Sequence, residues 1–290
     1  MRVSLGHAAA TEQEVVFTGH DGVMLAGSLM LPRSASLDQP VAALLLVQGS
    51  GPTDRNGDQP PHLMPDLLRQ LAEMFAEAGI ATLRYDKRGM HANRAGLPGD
   101  REALASFFRW SAFVGDAAAG FAFLRAQREV DAERVGLLGH SEGGLIAAAA
   151  IAAQQARPKM LILAGTPGRP LGAVIHDQLS TLLQRQGATA EQQRFFLAAD
   201  LRIRTAILAS GAVPADVPSR LAALYPPYLG PFLKDVLALD PAALVAGCGA
   251  PVLVINGAAD SQVAAARDAE RFAARSHHAA TAARCSRPPG

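Results

Sequence analysis

Ser141 stands in Gly139-His140-Ser141-Glu142-Gly143, a G-x-S-x-G sequence. A serine hydroxyl becomes a nucleophile towards a carbonyl carbon when a neighbouring base takes its proton. The pentapeptide alone is a weak signal, because glycine and serine are common residues. Its flanks make it a strong one. A short apolar run, residues 135–138, leads directly into it, and an alanine-rich run, residues 145–153, leaves it. Strand, sharp turn and helix is the setting of a nucleophile elbow, with Ser141 at the tip. Gly139 and Gly143 let strand and helix approach closely in such a turn. The helix that follows directs its free N–H groups, and the positive end of its dipole, at any oxyanion formed there. The bland alternative is a glycine-rich turn that carries a serine by chance.

The elements that must position this serine alternate along the chain. Residues 14–18 and 24–30 read as a hairpin around Gly19-His-Asp-Gly22. Residues 41–47 are nearly all apolar, as in a strand buried on both faces of a parallel sheet. Further strands are expected over 80–85, 135–138, 159–163 and 251–256. Between them the spacing predicts helices. Leu67, Leu68, Leu71, Met74 and Phe75 share a face over 65–79. Phe113, Ala117, Gly120, Phe121 and Leu124 form the inner face of a helical region over 102–127. Another helix covers 263–274. From 171 to 246 strand-like runs vanish, and prolines at 214, 218, 226, 227 and 231 punctuate a helical pattern. The expectation is an α/β protein: a mostly parallel, doubly wound sheet formed by 14–170 and 247–275, a helical cap insertion over 171–246, and an irregular tail over 276–290. Sites in such sheets lie outside the C-terminal strand ends, so loops 48–62, 86–99, 139–142, 164–169 and 257–262 should surround one site.

Composition narrows the partners. The chain has 290 residues, 49% hydrophobic and 18% charged, with a formal net charge of +1. That balance gives no reason to expect nucleic acid or an anionic membrane as a partner. No apolar run reaches the length of a membrane span and no signal peptide is read, so a cytoplasmic location is expected. Cys248 and Cys285 have neither metal-ligand spacing nor the number for a disulfide framework.

Four pieces in order resemble the α/β-hydrolase superfamily: Gln48-Gly-Ser-Gly51, Arg84-Tyr-Asp-Lys-Arg-Gly89, Gly139-His-Ser-Glu-Gly143 and Asn256-Gly-Ala-Ala-Asp260-Ser-Gln-Val263. Together they look like the serine-aminopeptidase and dienelactone-hydrolase-like esterases, over residues 14–275. The resemblance implies a doubly wound fold of α/β-hydrolase type and a serine, acid, histidine triad in that chain order. Ser141 is then the nucleophile. The backbone N–H groups of Glu142 and Ser50 form the oxyanion hole. Many relatives have His-Gly where this chain has Gln48-Gly49, and a backbone donor survives that change. Asp260, on a short glycine loop after a strand, orients the histidine; a helix N-cap is its competing role. Asp54, Arg55, Asp86 and Arg88 are expected to brace loops by ion pairs.

The histidine is where the chain departs from the resemblance. His277 and His278 follow Asp260 too closely for a helix, a loop and a further strand to intervene. Residues 279–290 show no strand pattern. The expectation is therefore a missing last strand, with His277 or His278 as candidate base or as mere tail residues, while His62, His91 and His176 could face the site and His140 should point to the buried side of the elbow. A missing edge strand would leave its neighbour open to a homodimer. The implied activity is hydrolysis of a small-molecule carboxylic ester without metal or organic cofactor. Peptidase and thioesterase chemistry are close alternatives, and a catalytically impaired hydrolase-like protein is a third. Phe195, Phe196, Leu224, Tyr225, Tyr228 and Phe232 suggest an apolar acyl pocket in the cap segment, or simply its core.

Overall fold

Apolar runs bounded by glycine loops build the sheet that carries this molecule. The structure is a computed structural model that describes residues 10–275 and 279–281. Strands β1 (Thr11–Thr18) and β2 (Met24–Leu31) form an antiparallel hairpin. β2 is also antiparallel to β4 (Ala81–Tyr85). From there every pairing is parallel, through β3 (Val41–Val47), β5 (Val130–His140), β6 (Leu161–Ala164), β7 (Val252–Ile255) and β8 (Ala279–Thr281). The order across the sheet is β1-β2-β4-β3-β5-β6-β7-β8. The core begins at Thr11, a little before the expected boundary at residue 14.

The alternation of side chains along a strand divides the core between two faces. Leu44, Leu46, Leu138 and Ile162 meet Ala72 and Ala76 of helix α1 (Leu67–Glu77) on one face. Leu45, Val47, Leu137 and Leu163 meet α3 (Trp110–Arg125) and α4 (Glu142–Ala152) on the other. The buried face of α1 differs from the sequence expectation. Leu68, Ala72 and Ala76 are buried, whereas Met74 is 64% exposed. Alanines four residues apart let the helix lie close on the sheet, and the larger Leu71 and Phe75 flank the contact. The single helical region expected over 102–127 is two helices, α2 (Arg101–Phe107) and α3, because Arg109 is extended and the Phe108 ring turns into the core.

The segment 171–246 contains α5 (Leu171–Arg185), α6 (Ala190–Ser210), α7 (Gly230–Leu237) and α8 (Pro241–Ala246). Leu183, Ile203, Ile207, Tyr225 and Leu233 give α5–α7 a small core of their own. Inside it the Tyr225 hydroxyl donates to Asp200, which also accepts from Arg204 at 2.7 Å. Ala242 and Val245 of α8 pack instead in the main core beside α4. Helix α9 (Ala265–Arg275) follows β7. Its Asp268 accepts from the backbone N–H groups of Gly168 and Arg169, both at 3.1 Å, and tethers the loop after β6.

The end of the chain corrects the sequence reading. An irregular tail and a missing last strand were expected, yet Ala279, Ala280 and Thr281 pair with Val252, Leu253 and Val254. Three small residues give no alternation to read, so backbone pairing with the open edge of β7 defines this strand. The bare edge on β7 that argued for a homodimer is therefore occupied. Among the described residues no helix is long and apolar enough to cross a membrane.

Charged groups beneath the loops are paired. Arg88 and Asp116 are each 1% exposed and form a two-armed pair, both arms at 2.7 Å. Asp116 also accepts from the His20 backbone N–H, so it joins the first hairpin turn, the loop after β4 and α3. Removing one partner strands the other charge in a medium that cannot solvate it. Asp116→Ala should lose about 3–5 kcal/mol of stability in urea unfolding; a loss below about 1 kcal/mol, the scale of an exposed pair, would contradict the account.

Candidate active site

Ser141 has φ 53° and ψ −124°, an uncommon conformation for a residue with a side chain. It separates the last residue of β5 from the first of α4. Its N–H donates to the Ala164 carbonyl at 2.9 Å, and its carbonyl accepts from Gly144 at 3.0 Å. The glycines around it have no room for a Cβ. One on Gly139 would strike the Gly144 backbone, and one on Gly143 would strike the Val47 carbonyl. One on Gly144, which the motif does not include, would meet Thr166. This crowding holds α4 against β3, β5 and β6 and forces the sharp reversal at Ser141.

The loop after β3 lies directly against the serine. A Cβ on Gly49 would be 3.1 Å from the Ser141 Cβ. Ser50 follows, exposed at the site edge, and Glu142 opens α4. Gln48, which replaces the histidine of many relatives, is buried and donates through Nε2 to the Tyr85 carbonyl at 2.7 Å. It ties the end of β3 to the end of β4.

Lys87 completes that tie, and sequence reasoning passed over it. Its buried Nζ donates to the Gly49 carbonyl and, at 3.1 Å, to the Gly51 carbonyl. Both carbonyls flank the Ser50 peptide, so one ammonium sets the loop's orientation. Burial lowers the Lys87 pKa, opposed by the Glu142 carboxylate. Burial raises the Glu142 pKa, opposed by Lys87. Nothing in the run Asp86-Lys-Arg distinguishes the lysine from its exposed counterparts elsewhere in the chain. Of the charged residues expected to brace these loops by ion pairs, Arg55 and Asp86 do so, whereas Asp54 holds its loop through backbone N–H groups. Arg55 bonds Asp86 at 2.9 Å and Glu14 at 2.6 Å, and Asp54 accepts from the Asn56 and Asp58 N–H groups within its own loop.

Asp260 sits on the loop after β7. Its Oδ1 accepts from the N–H groups of Gln262 and Val263 at 2.8 and 3.0 Å, the backbone-capping role weighed against catalysis. Its Oδ2 is on the side of Gly165, 3.5 Å from where a Cβ there would lie. Gly165 directly follows Ala164, whose carbonyl holds Ser141. Asn256 clamps the loop by donating to the Val263 carbonyl at 2.9 Å. One oxygen is thus anchored and the other directed to the strand ends beside Ser141.

The histidines separate. His277 and His278 lie outside the described residues. His140 is half-buried, with its Nδ1 3.2 Å from the position of a Gly49 Cβ. Burial lowers its pKa; Asp260 opposes that shift and Lys87 adds to it. His91 Nε2 is 2.7 Å from the Pro52 carbonyl. His62 is exposed before α1, and His176 lies on α5 beside Asp177. Ala279 pairs with Val252, level with Leu161 and Leu137. That rung lies about 13 Å short of Ser141 along the strand direction. After Thr281 the sequence contains no histidine.

A sheet of this order with a serine elbow after β5 defines an α/β hydrolase. The family model described as serine aminopeptidase, S33, matches residues 66–217, just over half of the chain, and the chain belongs to that family. No curated protein sequence matches it. Among solved structures it is similar to the α/β hydrolase GrgF from Penicillium sp. sh18, with 17% identity over 93% of this chain and 88% of that one, TM-score 0.58. It is also similar to acetyl xylan esterase 1 from Thermoanaerobacterium sp. JW/SL YS485, with 15% identity over 100% and 82% of the two chains, TM-score 0.57. A puromycin-hydrolyzing peptidase from Mycobacterium tuberculosis shows 18% identity and TM-score 0.57 over 92% of this chain but only 34% of its own. At these identities the likeness is one of fold.

The lowered Lys87 pKa makes a prediction with a definite sign. Between that pKa and about 10.4, the unfolded chain holds a proton that the folded one has released. Stability should therefore rise with pH through this window. In Lys87→Met that rise should vanish from urea midpoints measured across the window; an unchanged pH profile would show that Lys87 is not buried.

Proposed function

We propose that this chain hydrolyses carboxylic esters through an acyl-enzyme on Ser141. The observation that carries the reading is the backbone of Ser141, held at positive φ between glycines that admit no side chain. Oγ adds to the ester carbonyl carbon and gives its proton to a base. The carbonyl oxygen becomes an oxyanion, met by the Glu142 and Ser50 N–H groups. Collapse breaks the C–O bond to the alcohol, which leaves with the proton. Water then adds to the acyl-enzyme, releasing the acid and restoring Ser141. Asp260 orients the base. Helices α5–α7 act as a cap over this edge of the sheet. An esterase and a peptidase both occur among the similar folds, and a thioester or amide substrate is the close alternative.

Two readings of the base follow. In the first, His277 or His278 accepts the Ser141 proton. In the second the triad has no histidine, and the oxyanion donors alone leave roughly 10³–10⁴-fold catalysis over water.

Hydrolysis of p-nitrophenyl acetate and butyrate by wild type, Ser141→Ala and His277→Ala/His278→Ala tests both readings. Turnover by wild type that falls by about 10³-fold or more in Ser141→Ala supports the proposal. A comparable fall in the histidine variant assigns the base to His277 or His278, and an unchanged rate there assigns it to another group. Equal rates for wild type, Ser141→Ala and the histidine variant would overturn the acyl-enzyme proposal and select the second reading, catalysis by the oxyanion donors without the serine.

A further inference from the structure

The loops that embrace Ser141 also wall a cavity of about 510 Å³, within the range of small-molecule sites. Pro52 forms part of it, three residues beyond Gly49 and therefore within about 11 Å of it. Gly89, two residues beyond Lys87, forms another part. The cavity is thus built on the same two loops that Lys87 ties together beside the serine.

Its chemistry is divided. Leu97, Leu104, Phe108 and Tyr228 make an apolar wall, with the last two rings 5.6 Å apart. Arg94 is the lining residue with a permanent positive charge, and no aspartate or glutamate lines the cavity. Among the described residues the Arg94 guanidinium has no hydrogen bond and no ion pair. The adjoining polar cavity differs. There Arg55 is engaged by Glu14 and Asp86, Arg69 by Glu73, and Glu12 by the buried Arg84, so the cavity's cations are met within the protein. A cation left open in the lining of a largely apolar cavity suits a ligand with an apolar body and a terminal anion, and guanidinium matches a carboxylate with two parallel hydrogen bonds.

We infer that this cavity binds the carboxylate-bearing end of an anionic monoester, Arg94 pairing with the carboxylate while the ester carbonyl reaches Ser141. The inference rests on the esterase reading of Ser141 and names its substrate class: half-esters of dicarboxylic acids in preference to neutral esters of the same length.

The test compares the mono-p-nitrophenyl ester of adipic acid with p-nitrophenyl hexanoate. Wild type should favour the adipate half-ester in kcat/KM. Arg94→Gln should lower that ratio by about tenfold or more, Arg94→Glu should reverse the preference, and Arg94→Lys should retain part of it. Arg101→Gln, a cation outside the cavity, should keep the wild-type ratio; an equal change there would assign the effect to general surface charge and overturn the inference. So would a ratio unmoved by Arg94→Gln. A binding arm separates this inference from the reading it rests on. Calorimetric titration of Ser141→Ala with monomethyl adipate and with methyl hexanoate reads the cavity without turnover. Binding of the adipate ester that disappears in Ser141→Ala/Arg94→Gln supports the site even if wild type hydrolyses no ester. Equal binding of both esters would overturn it.

Discussion

Everything at the sheet edge that carries Ser141 depends on the absence of space between β5 and α4. Gly139, Gly143 and Gly144 bring helix backbone into contact with the ends of β3 and β5 and with Thr166 after β6. With no slack there, the chain can reverse only through positive φ at Ser141. The alanines of α4 extend the same constraint, since Ala147, Ala148 and Ala150 are fully buried beneath neighbouring elements. A larger residue in any of these places would push the helix off the sheet, and the serine would move with it.

The loops around the serine are held by buried polar groups rather than by their own sequence. Gln48 joins β3 to β4, Lys87 holds the Gly49 and Gly51 carbonyls, Asn256 clamps the loop of Asp260, and Asp268 holds Gly168 and Arg169. All but the Asn256 clamp, which closes its own loop, join elements distant in sequence. A polar group in water can rotate away at little cost, whereas one buried here has a single satisfying arrangement. Such ties fix the backbone of the loops beside Ser141 without requiring that each loop be rigid in isolation.

How much of this was legible depended on whether a feature was local. The elbow could be read because strand, glycine turn and helix are consecutive, and the apolar run over 41–47 announced a doubly covered strand. The alternation of strands and helices placed five loops at one edge. What escaped were pairings of buried polar side chains with backbone that only the folded chain brings together. Lys87 looks like any charge in a charged loop until Gly49 and Gly51 come into view. Asn256 looks like a turn residue until Val263 folds back on it. Strand β8 escaped for a different reason: alanine and threonine carry no pattern, and the neighbouring strand makes them a strand. The face of α1 was misread because large apolar residues drew attention from the alanines that touch the sheet. The cavity at Arg94 assembles residues from three separate stretches and has no linear signature.

The central claim is that the fold activates one serine. Treatment of the native chain with a fluorophosphonate, followed by peptide mapping, tests it most directly, because the probe reports nucleophilicity without assuming a substrate. The account predicts an adduct on Ser141 alone, formed by the folded protein and lost when urea unfolds it before labelling. No adduct on Ser141, or equal labelling of folded and unfolded chain, would contradict it.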